Sequence, residues 1–281
     1  MVSAILVHSL FEGFAVSIVL TLAHSLFLES QSIANLPWVY IAGGLTGFGA
    51  NWLYSRLEHR MQMATLLKLS LVLLLVPVLA FRLVFDYVDP SIVSFAMLAW
   101  SLVMFGSIEA RYWELNSVLF DVRQGKRLFG LLGLGESASK VIGFLSVPGL
   151  VHLIGPSNLL FVAAGSLGAA LLLLHNMLER HKSRLHTVAG EHEASVSGKS
   201  THHGSPLRHL DKYRRLLLAF AVCAIATYTL VEFGFLREVQ SRFHHLSELA
   251  PFLGIFFGVA HVLDILFKAV VTGRFLRRFG I

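Results

Sequence analysis

A small set of charged side chains interrupts the long apolar segments of this sequence. Placing one charge at the centre of a bilayer costs about 2.5–3.5 kcal/mol on insertion scales, so such residues are either neutralised by a partner or mark a substrate or ion pathway. The charged residues are Glu12, Glu136, Lys140, Glu232, Asp264 and Lys268. We interpret them as candidates for substrate binding or coupling in a membrane protein.

The spacing of these residues leaves two interpretations open. Glu136 precedes Lys140 by four residues, and Asp264 precedes Lys268 by the same interval. Residues at this spacing lie on one face of a helix, so each pair could neutralise itself. His261 extends the second face. Alternatively, the two faces line a polar cavity that binds a charged solute or carries protons.

Two acidic residues have no Lys or Arg partner nearby in their own helix. Glu12 and Glu232 are therefore the stronger candidates for contacts with substrate, a proton or another helix. His8 precedes Glu12 by one turn and could share a proton with it.

The segments that carry these residues are long enough to cross a membrane. The chain has 281 residues, of which 55% are hydrophobic and 14% charged, whereas soluble domains average about 25% charged. Apolar runs of about 20 residues match the hydrocarbon core of a bilayer, and their lack of alternation argues against barrel strands. We predict an all-α polytopic membrane protein with about eight helices: 4–28, 37–56, 66–85, 91–113, 128–152, 158–178, 213–235 and 249–271.

The basic residues predict the orientation of these helices. Most of the 23 Lys and Arg residues fall in segments on one side, if the helices alternate in direction. The residues assigned to that side include Arg56, Arg60, Arg111, Lys126 and Arg274. Lys and Arg stay cytoplasmic, so both termini are predicted to be cytoplasmic in a plasma (inner) membrane surrounded by lipid. The net charge of +6 is thus a topology signal, and nucleic acid is not a predicted partner.

The polar segment 179–212 divides the chain into two groups of helices. Residues 1–178 form a predicted six-helix bundle, 179–212 a cytoplasmic linker, and 213–281 a partial second bundle of two helices. A short basic turn follows the second helix of each group, at 55–60 and 273–278. Six helices, a linker and the start of a second copy is the plan of a major-facilitator-type transporter. We expect that the chain belongs to a longer protein or that a partner supplies the missing helices.

Other motifs predict no chemistry. The linker histidines have no accompanying cysteine and indicate a solvated loop, so no metal or cofactor is predicted. Residues 130–136 lack the Gly-Lys-Ser/Thr end of a phosphate loop. No nucleophile has a base and an orienting acid at recognisable spacing, so we predict no enzyme. Small residues four apart, such as Gly43 with Gly47 and Gly165 with Ala169, predict close helix packing, as do Gly135, Ser139 and Gly143.

Two stretches resemble the ATP/ADP translocase (nucleotide transporter) family and its bacterial relatives, which have a major-facilitator-like fold. They are residues 120–135 (FDVRQGKRLFGLLGLG) and residues 228–233 (YTLVEF) continuing to 248–254 (ELAPFLG). The resemblance implies a secondary transporter that carries nucleotides by ATP/ADP exchange and alternating access. It also implies a transport role for Glu232, which matches the helix 7 glutamate of that family. The alternative is a non-transporting membrane anchor or scaffold derived from a transporter fold.

Overall fold

The regular structure of this chain is helical in every part that the structure describes. The computed structural model describes residues 2–58, 60–120, 122–180 and 207–267. The helices are α1 (Val2–Ser30), α2 (Leu36–Glu58), α3 (Met63–Val84), α4 (Pro90–Leu119), α5 (Val122–Ile154), α6 (Leu159–Arg180), α7 (Leu207–Arg242) and α8 (Leu246–Phe267), with a short 3-10 helix at Ile33–Asn35 before α2. The predicted all-α class is confirmed. Most of the predicted linker lies outside the described residues, as does Lys268.

Seven of the described helices are long and apolar enough to cross a bilayer, which indicates an integral membrane protein. The remaining helix, α2, has 23 residues but contains four glycines and Asn51, which lower its apolar character. Its exposed face is nevertheless apolar. That face carries Trp38, Ile41, Leu45, Phe48 and Trp52 at alternating intervals of three and four residues. A stripe of this kind suits contact with lipid or with another helix.

Helix α1 forms the centre of the bundle and packs against α4, α5, α6 and α8. Its hydroxyl residues satisfy their hydrogen-bonding groups within the helix. Thr21 donates to the Ser17 carbonyl at 2.8 Å, and Ser25 donates to the Thr21 carbonyl at 2.8 Å. Such polar side chains can be buried in an apolar environment because their donors are paired.

Glycines allow several of these helices to approach closely. A Cβ atom at Gly143 would lie 2.9 Å from the Phe14 Cα atom of α1, and one at Gly254 would lie 2.9 Å from the Phe144 carbonyl oxygen. A Cβ atom at Gly43 would lie 3.1 Å from the carbonyl oxygen of Ala99. The predicted close packing of the second and fifth helices is therefore confirmed. For Gly165 the prediction is wrong, because nothing lies within 4 Å of its added Cβ atom.

Among the residues that the structure describes, helix α7 contacts the other helices near its C-terminal end. Residues 213–231 are exposed apart from Ala221 and Thr229, whereas Leu236 and Val239 are buried. Close to this end, the rings of Phe235 and Phe256 stack with centroids 4.0 Å apart, which joins α7 to α8. The exposed part of α7 is therefore open to lipid or to further helices.

A single side chain ties the end of α7 to the connection between α1 and α2. The Gln240 amide nitrogen donates to the carbonyls of Leu28 and Gln31, at 2.8 and 2.6 Å. The Gln240 side-chain oxygen accepts from the Ile33 amide at 3.1 Å. Nearby, Glu29 of α1 accepts from the Leu246 amide at 2.9 Å and so caps the start of α8. We call this set of contacts the outer-end junction, since the predicted orientation places it outside.

Candidate functional site

Four of the predicted site residues, Glu12, Glu136, Lys140 and Glu232, lie in three separate polar clusters. The first-helix cluster contains His8, Glu12 and Arg111. The boundary cluster contains Glu136, Lys140 and His261, between the first six helices and α8. The α7 cluster contains His24, Tyr40 and Glu232.

In the first-helix cluster, Glu12 of α1 forms an ion pair with Arg111 of α4. His8 approaches the same carboxylate, with Nε2 3.4 Å from Oε1, and its Nδ1 atom lies 3.1 Å from the Ala170 carbonyl oxygen of α6. Glu12 is 1% exposed and Arg111 is 4% exposed. The ion pair therefore links α1 to α4 inside the bundle, where leaving either charge alone would be costly.

Arg111 corrects one part of the sequence analysis. We assigned it to a cytoplasmic segment, but it lies within α4, buried and paired with Glu12. The assignment was wrong because an arginine near a helix end looks like a topology signal in sequence, whereas its partner is 99 residues away.

In the boundary cluster, Glu136 and Lys140 of α5 form the ion pair that their spacing allows. The Lys140 ammonium also lies 4.3 Å from the centroid of the Phe105 ring of α4, a cation–π contact. One turn further along α5, the ring of Phe144 lies 4.9 Å from the ring of His261 on α8. His261 is within electrostatic range of Lys140, Glu136 and Asp264. Ionisable groups from both sides thus face the boundary between the two groups of helices.

Asp264 lies on α8, three residues after His261, and is half-buried. It takes part in an interaction of its own, and its predicted partner Lys268 lies outside the described residues. The predicted pairing of Asp264 with Lys268 therefore stays a prediction.

In the α7 cluster, three helices meet at one carboxylate. The Tyr40 hydroxyl of α2 donates to Glu232 Oε2 at 2.6 Å. The His24 Nε2 atom of α1 lies 3.4 Å from Glu232 Oε1, within ion-pair distance, yet that nitrogen is buried without an aligned hydrogen bond. We therefore describe this contact as electrostatic. The His24 ring also meets Phe257 of α8 edge to face, with centroids 5.6 Å apart.

The first-helix cluster and the α7 cluster are too far apart to surround one small solute in this conformation. His8 and His24 lie on the same helix, sixteen residues apart in the sequence. That interval spans roughly 24 Å at 1.5 Å per residue. The boundary cluster lies beside the middle of α1, because Ser17 of α1 donates to the Lys140 carbonyl at 3.0 Å.

A cavity of about 290 Å³ lies elsewhere, between α2, α3 and α4. Its walls are mainly apolar, with Tyr54, Ser70, Arg111 and Glu114 as polar groups. Tyr54 donates to Glu114 at 2.6 Å, so these two groups satisfy each other. The cavity touches the first-helix cluster through Arg111 but does not border Glu232 or Lys140. The buried charged residues are therefore stronger candidates for the functional site than this cavity.

Three residues of the clusters were missed by the sequence analysis: Arg111, His24 and Tyr40. His24 carried a usable signal, since an ionisable residue within an apolar helix is a functional candidate by default. Tyr40 carried none, because a tyrosine near the end of a membrane helix is common at the interface.

No group of three or more His, Cys, Asp or Glu side chains within residues 2–58, 60–120, 122–180 and 207–267 could hold a metal ion. Comparison with known proteins finds no matching family model, no matching curated protein and no matching solved structure. Interpretation of the clusters thus rests on their chemistry and position.

Proposed function

We propose that this chain is the helical core of a secondary transporter of the major-facilitator type that carries a charged solute. The observation on which this proposal rests is the boundary cluster. Lys140 and Glu136 on α5 lie within electrostatic range of His261 on α8, and Asp264 follows His261 by three residues, so ionisable groups of α5 and α8 meet at the boundary between the two groups of helices. Transporters of this type bind their substrates near the midplane, between their two halves.

The burial of the boundary cluster fits an occluded site. Lys140 is 4% exposed and Glu136 is 7% exposed. A buried pair with its charges neutralised can be retained inside the bundle, and each member can instead pair with a charged group of a solute. Solute binding therefore requires α5 and α8 to separate.

The attachment of α7 supports movement between the two groups. Its outer end is tied to α1 and α2 through Gln240 and Glu232, whereas residues 213–231 are largely exposed. Rocking of two helix groups about a central site requires a helix that is held at one end and free to move at the other.

The class of solute follows from the resemblance to nucleotide transporters, which points to ATP and ADP. Lys140 supplies a positive charge suited to a phosphate oxygen. In the predicted topology the chain resides in the plasma (inner) membrane with both termini cytoplasmic, and lipid surrounds the exposed apolar faces.

Nucleotide exchange in proteoliposomes tests this proposal. The full chain is reconstituted, the vesicles are loaded with unlabelled ADP, and uptake of radiolabelled ATP is measured. We expect uptake that depends on internal nucleotide and that is lost in Lys140→Gln and in Glu232→Gln. Lys68→Gln is the matched control, because Lys68 also pairs with a glutamate, 3.6 Å away, but is partly exposed outside the clusters.

Two results would contradict the proposal. Equal uptake by the Lys140→Gln, Glu232→Gln and Lys68→Gln variants would show that the boundary cluster and the α7 cluster do not contribute to transport. Absence of flux for every nucleotide and for other charged solutes, with the protein inserted and folded, would favour the alternative of a membrane anchor or scaffold.

A further inference from the structure

The α7 cluster differs from an ordinary buried ion pair in the surroundings of its histidine. His24 is 2% exposed, and both of its ring nitrogens face oxygen atoms. Nδ1 lies 2.8 Å from the Leu20 carbonyl oxygen, and Nε2 lies 3.4 Å from Glu232 Oε1. A carbonyl oxygen only accepts hydrogen bonds, so Nδ1 carries a hydrogen.

The other ring nitrogen then determines the charge of the cluster. If Nε2 is also protonated, His24 is a cation beside the Glu232 carboxylate. If it is not, its lone pair faces that carboxylate, unless the carboxyl group itself holds the proton. Two arrangements are favourable: a protonated His24 beside the Glu232 carboxylate, and a neutral His24 beside a protonated Glu232. In both, one proton lies between the His24 ring and the Glu232 carboxyl group, across the contact between α1 and α7.

The neighbouring groups do not replace this proton. The titratable and charged groups that face the cluster are Tyr40 from α2 and Tyr228 from α7, while α8 presents the ring of Phe257. No Lys or Arg nitrogen of the described residues lies within 4.0 Å of the Glu232 carboxylate. His24 is thus the group through which the carboxylate gains or loses its balancing charge.

The first-helix cluster provides an internal contrast. His8 has the same arrangement, with its two ring nitrogens facing the Ala170 carbonyl and the Glu12 carboxylate. There, however, Arg111 also contacts Glu12 and cannot lose its proton. Loss of a proton from His8 therefore leaves the Glu12 carboxylate paired, whereas loss from His24 leaves Glu232 with hydroxyl donors alone.

We propose that the proton held between His24 and Glu232 closes the outer end of the bundle and is the coupling ion of transport. The claim that this proton is the coupling ion rests on the proposed transporter function. On release, the Nε2–H bond breaks, the proton passes to water, and neutral His24 faces an anionic Glu232. A buried carboxylate without a balancing charge favours exposure to water, so α7 separates from α1 at this end. Low pH therefore favours the closed junction and high pH the open one.

Distance measurements between spin labels test the proton link independently of transport. Labels at Ala34→Cys and Ser241→Cys, both exposed positions on either side of the outer-end junction, are introduced into Cys223→Ser protein in proteoliposomes. We expect the ratio of long to short distances to rise with pH, because release of the shared proton opens the junction. A single linked proton limits the slope to about tenfold per pH unit.

Three variants separate the roles of the two histidines. His24→Gln removes the ring that shares the proton and should make the distance populations independent of pH. Glu232→Gln should hold the junction closed at every pH, because its amide donates to neutral His24. His8→Gln is the matched control and should titrate like the wild type. Retained titration in His24→Gln, or titration lost only in His8→Gln, would overturn the proposal.

Nucleotide flux measured in the same vesicles distinguishes the two proposals. Flux without any pH dependence of the distances would overturn the proton link and leave the transporter function standing. Titrating distances without flux of any solute would overturn both the transporter function and the coupling role of the proton. We expect the pH dependence of the distances and that of exchange to be lost together in His24→Gln.

Discussion

Removal of either member of the Glu12–Arg111 ion pair should destabilise the bundle strongly. Both side chains are almost completely buried, and their contact joins α1 to α4. Removing one partner of such a pair costs about 3–5 kcal/mol, because the other charge is left without compensation.

The surroundings of the pair predict an order for the two single variants. In Arg111→Met, the Glu12 carboxylate keeps His8, whose Nε2 atom is 3.4 Å away, so we expect a loss near the lower limit, about 3 kcal/mol. In Glu12→Gln, the Arg111 guanidinium loses its ion-pair partner and cannot give up its proton, so we expect a larger loss, about 4–5 kcal/mol. Arg111 then keeps a long hydrogen bond to Ser70, at 3.4 Å, and an electrostatic interaction with the half-buried Glu114.

The double variant Glu12→Gln with Arg111→Met separates pairing from other effects. Since it leaves neither charge, we expect it to be less destabilised than the sum of the single variants by about 3 kcal/mol. The measurement is the free energy of unfolding from denaturant titration in mixed detergent micelles. The control is the same cycle on Glu238 and Arg242, whose side chains are 63% and 70% exposed, where we expect a coupling below about 1 kcal/mol. Additive effects at Glu12 and Arg111 would refute the reasoning.

Two further predictions concern packing and the outer-end junction. Gly254→Ala should loosen the contact between α8 and α5, because the new Cβ atom would lie 2.9 Å from the Phe144 carbonyl oxygen, and we expect a lower melting temperature. Gly168→Ala, in open space on α6, should instead be neutral or stabilising by about 0.5–1 kcal/mol, and equal effects of the two variants would contradict this. Gln240→Ala should increase amide hydrogen exchange at the end of α7, since it removes three hydrogen bonds to the α1–α2 connection. Gln62→Ala, where the side chain makes no cap hydrogen bond, should leave exchange there unchanged.

The helices could be predicted from the sequence because each depends on its own apolar length. The bounds of two predicted helices, 37–56 and 158–178, differ from those of α2 and α6 by no more than two residues at each end. Where the difference is larger, as in α7, the helix continues into polar sequence that hydropathy assigns to the linker or to an outer loop. Backbone hydrogen bonding favours continuation of a helix once it is formed, so the apolar boundary underestimates its length.

Contacts between charged side chains could be predicted only where both residues lie within one turn of the same helix. The pairing of Glu136 with Lys140 follows from their spacing, and the structure shows it. By contrast, Tyr40 is 192 residues from Glu232, and nothing in the sequence relates the two. Which charges share a site is set by the packing of helices that are distant in sequence, so the division into three clusters was beyond sequence reasoning.

The direction of the helices in the bilayer underlies both the transport proposal and the assignment of the outer end. Cysteine labelling in intact cells tests it most directly, in protein that carries Cys223→Ser. Tyr87, which is 88% exposed between α3 and α4, is predicted to lie outside, and Arg60, between α2 and α3, inside. We expect a membrane-impermeant maleimide to label Tyr87→Cys in intact cells and Arg60→Cys only after permeabilisation. Labelling of Arg60→Cys in intact cells with Tyr87→Cys protected, or equal labelling of both, would contradict the predicted topology.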